Sequence, residues 1–398
     1  MAQDGAVTAT TLHRLPDLVP PPTELPPRVA ALRAEVREFL AEERAAGRWT
    51  PRADVWLSGW DERFSRELAR RGWLGMTIPR EYGGHGASAL DRYVVTEELL
   101  TAGAPVGAHW VADRQSGPLL LRFGTEDQRQ SILPRIARGE CYFAIGMSEP
   151  DSGSDLASLR TSATKVEGGW VVNGRKIWSS GAHICDYMIA LVRTAPRDES
   201  KRHEGMSQFL IDLKTKGISI RGIRNVAGES HFNETLFENV FVPDSMVIGK
   251  VGDGWKQVVT ELSIERSGPE RFLSTFVVLR EAVRELGEKP GDRAAHNVGQ
   301  LVARVATLRR MSLGVSGLLR EGKDPVAEAA LVKDVGTRYE KDLLEVVRPL
   351  LPSRPQGQSY DAYGSVLRGG ILQAPSFSLR GGTNEVLRGI VARELGLR

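Results

Sequence analysis

The chain reads as mainly α with a central β domain, and three observations carry that reading. Apolar residues recur at helical spacing up to about residue 140, short β-branched and aromatic runs cut by turn signals fill 141 to 250, and helical spacing returns from Gly254 onward. The order is helices, a β unit, then helices, with no internal repeat.

Taken in order, residues 1–26, ending LPDLVPPPTELPP, are proline-rich without apolar periodicity, so an extended arm is expected. Residues 27–140 form an N-terminal helical domain, with RVAALRAEVREFLAEERAA, DRYVVTEELLTAG and EDQRQSILPRIARG as examples and Thr125 as the N-cap of the last. Residues 141–252 form the middle β domain, where GGW and NGR read as hairpin-type turns. Residues 253–398 form a C-terminal helical domain, with long helices around 255–287, 292–320, 325–350 and 383–396.

Composition narrows the function. Of 398 residues, 41% are hydrophobic and 26% charged, the usual balance of a soluble globular protein large enough for several layers. Its 53 basic and 50 acidic residues leave a net charge of +3 with no strong basic tract, which gives nucleic-acid binding no support. Cys141 and Cys185 are too few for a disulfide scaffold and read as buried small residues. The seven histidines fall into no ligand spacing, so no metal site is expected. There is no run of about 18 apolar residues and no secretory pattern at the N-terminus. A cytoplasmic protein without membrane contact is the expectation.

One carboxylate stands out. At helical spacing Trp255, Val258, Leu262, Phe272, Phe276, Leu279 and Val283 share one side of a single long helix, and Glu265 lies on that stripe. Its neighbours Glu261, Arg266, Glu270 and Arg271 mostly point elsewhere. Pro269 has no N–H for the carbonyl of residue 265, so the helix should kink there. Taken alone, this is a partly exposed Glu paired with an Arg.

Three further segments are dense in polar groups. IGMSEPDSGSD (145–155) puts turn formers, hydroxyls and carboxylates directly behind a strand, suited to a flat ring's carbonyls or a phosphate, or simply to an ordinary turn. NGRKIWSSG places Trp178, Ser179 and Ser180 at a strand end, where the indole is either a cofactor wall or core. LRGGTNEVLRGIVAREL joins a double-Gly turn to a helix opening near Thr383. Both the dinucleotide fingerprint and the P-loop are missing.

Together with GWLGMTIPREYGG (72–84) and LLRFGTEDQRQSILPRIARGE (120–140), these segments resemble the acyl-CoA dehydrogenase family over almost the whole chain after the arm. The resemblance implies a middle β-barrel or sandwich, a C-terminal four-helix bundle, and FAD between the two. It implies flavin contacts from Met147, Ser148, Ser154, Trp178, Ser179 and Ser180, and from Thr383 and Glu385 at the C-terminal turn. Ser154 would also lie near the acyl-CoA substrate, and Arg266 beside its pantetheine arm. The implied reaction takes a proton from the carbon α to the thioester while a hydride leaves the β carbon for the flavin, with electrons passing on to an electron-transfer flavoprotein. A desolvated carboxylate suits the abstraction, because burial raises its pKa toward working pH.

The sequence departs from the family's commonest pattern twice. Many members carry the catalytic Glu immediately before the Gly-Thr of the C-terminal turn, where this chain has Gly381. Glu265 matches the alternative base position of isovaleryl-CoA dehydrogenase and of actinobacterial steroid side-chain dehydrogenases, and is the expected base. The R-x-x-F-G and Q-x-x-G-G-x-G segments that complete the FAD site across a tetramer interface are also missing; 284–301 and 351–369 stand there instead. An α2β2 heterotetramer with a second acyl-CoA dehydrogenase-like chain is therefore expected. The alternatives are a flavin oxidase or monooxygenase on the same scaffold, or a non-catalytic partner subunit.

Overall fold

The computed structural model describes residues 18–266, 268–351 and 361–397, apart from the side chains of 263–265. Its N-terminal helices are α1 (Arg28–Ala45), α2 (Val55–Ser58), α3 (Glu62–Arg70), α4 (Ala89–Ala102), α5 (Gly107–Val111), α6 (Gly117–Phe123) and α7 (Glu126–Ala137). Thr125 caps α7 in a reciprocal box with Gln128, as its sequence signature requires. Between α5 and α6 the chain passes through a π-helical turn, Ala112–Ser116. Helix α4 is buried almost all round, and its Glu97 and Glu98 are neutralised by Arg33 and Arg37 of α1 and by Arg309.

The middle region is β1 (Phe143–Gly146), β2 (Ser162–Val166), β3 (Gly169–Ser180), β4 (Tyr187–Arg193), β5 (Met206–Asp212), β6 (Ile218–Ile223), β7 (Phe232–Pro243) and β8 (Val247–Ile248). The sheet runs β6-β7-β3-β2-β4-β5-β8, with β1 parallel to β4. The GGW signal is the β2–β3 turn, with Gly168 at φ +73°. The NGR signal is not a turn. Gly174 lies inside β3 at a bulge, at φ +144°, where a Cβ would come within 2.6 Å of the Thr161 Cα. Glycine is demanded there by close approach of backbone, and the same residue type elsewhere marks a hairpin.

The C-terminal helices are α8 (Gly254–Glu265), α9 (Phe276–Leu286), α10 (Asp292–Arg320), α11 (Val326–Val347), α12 (Ala362–Phe377) and α13 (Asn384–Glu394). The single helix expected over 255–287 is thus two helices joined by a 3-10 turn, Pro269–Arg271. Helix α8 stops at Glu265, four residues before Pro269, which has no N–H to continue the ladder. The charged neighbours do not point outward either: Glu261, Arg266, Glu270 and Arg271 are all buried. Val283, expected on the apolar stripe, is exposed. Helix α12 had no sequence signal, since Gly364, Gly369, Gly370 and Pro375 all weaken helix propensity. At Gly370 a Cβ would come within 2.8 Å of Leu344 Cδ2 of α11, so a larger residue there would push that side chain aside.

One apolar core joins the two helical regions, running from Phe39, Phe64 and Trp73 through Leu99 and Trp110 to Val278, Leu343 and Phe377. A second fills the β region around Met188, Phe209, Phe237 and Val240. The described part of the arm, 18–26, lies along α10, where Pro20 abuts Gly314 and Thr23 abuts Gly317. Leu25 packs against the cluster of Val29, Leu90, Val94 and Leu313. No helix among the described residues is long and apolar enough to cross a membrane.

Candidate active site

The loop after β1 carries Met147 and Ser148, and a buried ion pair sets its shape. Lys176 of β3 is fully buried; its Nζ donates to the Met147 carbonyl (3.0 Å) and to Glu149 Oε1 (2.8 Å). Burial pulls the Lys176 amine down to about 8 against the pull of Glu149, so it is still mainly charged at neutral pH. Burial pushes the Glu149 carboxyl up, but Lys176 and the N–H groups of Arg160 and Thr161 outweigh it and hold it below the usual range. The Ser148 carbonyl accepts from Ile177 N–H (2.9 Å), which fastens the loop to β3. Met147 packs against a cluster of Leu159, Leu191, Met206 and Val258, the last from α8. Ser154, further along the loop, is exposed.

At the end of β3 a register shift between Lys176 and Ser179 places Trp178 at φ +63°, a left-handed conformation rare for a bulky residue. Its indole is 55% exposed and meets the Phe232 ring edge-on, with centroids 5.8 Å apart at 90°. An open aromatic face of this kind can receive a flat ring. Strand alternation then turns Ser179 inward: it is fully buried, its Oγ finds no partner, and its carbonyl takes the Asn233 amide (3.0 Å). Ser180 is partly exposed again. Trp178 and Ser180 can therefore offer side chains to a ligand, and Ser179 only backbone.

Helix α8 docks on the β region through Gln257, whose Nε2 donates to the Ile248 carbonyl (2.7 Å), and through Glu261, which accepts from Gln208 (3.2 Å). It ends at Glu265, whose side chain lies outside the described residues. The next residue, Arg266, is buried and donates from Nε to the Gly381 carbonyl (3.2 Å). Lys333 of α11 donates from Nζ to the following carbonyl, Gly382 (2.6 Å). Gly381 and Gly382 have φ of +65° and +97°, which explains why this turn uses two glycines. Thr383 caps α13, its hydroxyl accepting from Val386 N–H (3.4 Å), and Asn384 ties that helix to Asp334. Glu385 is exposed in the first turn, its carboxyl lowered by its own backbone N–H and by Thr383.

The structure thus brings the end of α8 against the C-terminal turn, and separately brings Met147–Ser148 beside β3. Sequence reasoning missed Lys176, Glu149 and Lys333, which hold these segments by their backbone. The only signal for Lys176 and Lys333 was a charged residue at an inward strand or helix position, and Glu149, in the loop after β1, had none. The open indole of Trp178, the Ser180 hydroxyl and the pinned Met147–Ser148 loop fit a flavin ring, and the capped start of α13 fits its anionic portion.

Two family descriptions match the chain: acyl-CoA dehydrogenase N-terminal domain over residues 27–140 and acyl-CoA dehydrogenase middle domain over 144–240. The chain is 32% identical to acyl-CoA dehydrogenase FadE34 of Mycobacterium tuberculosis over 92% of its own length, and spans about half (48%) of that relative. It is 30% identical to the solved structure Tcur3481-Tcur3483 steroid ACAD, with a TM-score of 0.81 over 94% of this chain and 98% of that one. It is also 30% identical to a chain of the ChsE4-ChsE5 complex from Mycobacterium tuberculosis, with a TM-score of 0.79 over 94% and 99%.

Proposed function

Because this chain belongs to the acyl-CoA dehydrogenase family, a family of oxidoreductases, we propose that it dehydrogenates an acyl-CoA thioester across its α,β bond to the trans-2-enoyl thioester. Glu265 takes the α proton, and electrons pass afterwards to an electron-transfer flavoprotein. FAD, when bound, supplies the acceptor for the hydride leaving the β carbon. Met147, Ser148, Trp178 and Ser180 hold its ring, with Thr383 and Glu385 at the C-terminal turn. Ser154 and Arg266 border the thioester's pantetheine arm.

The observation that carries the proton-transfer assignment is the bond from Arg266 to the Gly381 carbonyl. It joins the end of the helix bearing Glu265 to the turn where many relatives keep their base and this chain has glycine. In the Glu265→Gln variant we expect acyl-CoA-driven flavin bleaching to fall by about two orders of magnitude or more, with flavin still bound. Bleaching at the wild-type rate would refute the assignment. An oxidase reading is separated by reoxidation: slow recovery of the bleached flavin in air supports the dehydrogenase.

The missing interface segments and the ChsE4-ChsE5 relative support an α2β2 assembly with a second acyl-CoA dehydrogenase-like chain. Residues 352–360, within one of the replaced stretches, lie outside the described residues. Flavin content of the chain expressed alone and with candidate partners tests this; full occupancy alone would sink it. The likeness to a steroid ACAD supports a bulky acyl group such as a steroid side chain. The chain is taken to act in the cytoplasm.

A further inference from the structure

The interruption between α8 and α9 has its own architecture, centred on Ser274. The N–H of Ser274 donates to Glu340 Oε1 (2.7 Å), and its carbonyl accepts from Asp54 N–H (2.9 Å). Its hydroxyl donates to the Glu270 carbonyl (3.1 Å) and accepts from Trp56 Nε1 (3.2 Å) and Arg380 Nη2 (3.4 Å). Every polar atom of this buried residue is used, and the partners come from four separate segments of the chain.

Two of those partners are bonded to each other. Arg380 Nη1 donates to Asp54 Oδ2 (2.8 Å), and Nη2 lies 2.7 Å from Oδ1. Asp54 is fully buried at φ +59°, and the Arg380 guanidinium lies 4.3 Å from the centre of the Trp56 ring. The residue after Arg380 is Gly381, whose carbonyl takes Arg266 Nε. The contacts therefore close a ring: from the end of α8 through Arg266 to the turn at 381, back through Arg380 to Asp54 and Ser274, and along 274–266 to α8. An unbroken helix over 255–287 would bury Ser274 as one more helical residue and leave Asp54, Trp56 and Arg380 without this partner.

We propose that Ser274, Asp54 and Arg380 form a joint that sets the end of α8 against the glycine turn, and that they are positioning residues for the proton abstraction assigned to Glu265. The helix break at Pro269 exists to make this joint. The proposal rests on that functional reading for its catalytic part only; the mechanical coupling stands independently of it.

The test uses the full chain as flavin-loaded holoprotein, with its partner subunit if one is needed. The variants are Ser274→Ala, Ser274→Thr and the double Asp54→Asn/Arg380→Gln, which keeps a neutral hydrogen-bonded pair should the single changes fail to fold. Amide hydrogen exchange reads the joint: in Ser274→Ala and the double variant, protection should fall about tenfold or more both at 261–275 and at 378–386, with 143–148 and 176–180 unchanged. Exchange confined to the immediate neighbours of the substituted residue overturns the joint. Single-turnover flavin reduction by an acyl-CoA reads the positioning. The saturating rate should fall about tenfold with the half-saturating concentration within about twofold, and Ser274→Thr should restore it. An unchanged saturating rate overturns the positioning role. Should Glu265→Gln retain activity while exchange still moves at both sites, the base assignment fails and the joint stands.

Discussion

The two walls of the candidate site are held in opposite ways. The proposed flavin side, Met147–Ser148 and Trp178–Ser180, is held chiefly within one region, by the β3 ladder and by one buried pair, Lys176 with Glu149, less than thirty residues apart. The proposed base side, from Arg266 to the turn at 380–383, is fixed by groups from positions 54, 274 and 333, spread over the N-terminal helices and the C-terminal bundle. The first wall can form once the β region folds. The second exists only after the helical regions have met across it, so its geometry reports on assembly of the whole chain.

The largest test of this contrast is Lys176→Met, which leaves the Glu149 carboxylate buried without its ammonium partner. A loss of about 3–5 kcal/mol in denaturant titrations is expected, together with weaker flavin binding and unchanged exchange at 378–386. A loss below about 1 kcal/mol would mean that the Arg160 and Thr161 amides suffice.

On the base side, burial pushes the Glu340 carboxyl up to about 7, against the pull of Arg380 and the Ser274 N–H and with Asp54 adding to the rise. A carboxyl whose folded pKa exceeds its unfolded value contributes stability that is complete below about 4.5 and is lost as pH rises through about 7. The wild type should therefore lose up to about 3 kcal/mol between pH 4.5 and 7.5 from this group, and Glu340→Gln should flatten that slope. A slope unaffected by the substitution would remove Glu340 from the account.

An effect of similar size and opposite sign belongs to His109, which burial pulls down to about 4 and whose Nδ1 lies 2.8 Å from Ser65 Oγ. Its neutral form contributes stability present above about 6.5 and lost as pH falls through about 4. Acid titration of His109→Gln should shift the acid midpoint downward relative to wild type. The smallest expected change is Ser179→Ala, which removes a buried hydroxyl with no partner. Its effect should stay within about 0.5 kcal/mol, with the flavin spectrum unaltered. A spectral shift would give that side chain a role on the flavin wall that its inward position argues against.

How much was legible beforehand follows from which forces act locally. The order of helical and β regions, the Thr125 and Thr383 caps and the β2–β3 turn were all readable, because propensity, periodicity and capping act within a few residues; at Pro269 only a kink was read where the structure has a full break. The Asn173–Gly174 pair misled because a close approach by Thr161 and a hairpin turn demand the same residue type. Helix α12 was silent because its glycines and Pro375 lower its own propensity, while Gly370 answers to Leu344 across the bundle. Of the site residues, the hydroxyls and the indole were legible as chemistry, but Lys176, Lys333 and Ser274 were not, since nothing in a linear pattern tells a buried, paired polar group from a solvated one.

By itself, then, the amino-acid sequence determined the order of helical and β regions, the family resemblance and an unusual carboxylate on an apolar helical stripe, in a chain whose C-terminal turn has only glycine. The structure ends that helix at Glu265. Only the tertiary structure decided how that helix end is held. The bonds that hold it join positions 54, 274 and 380, and contacts at such separations arise from packing of whole elements.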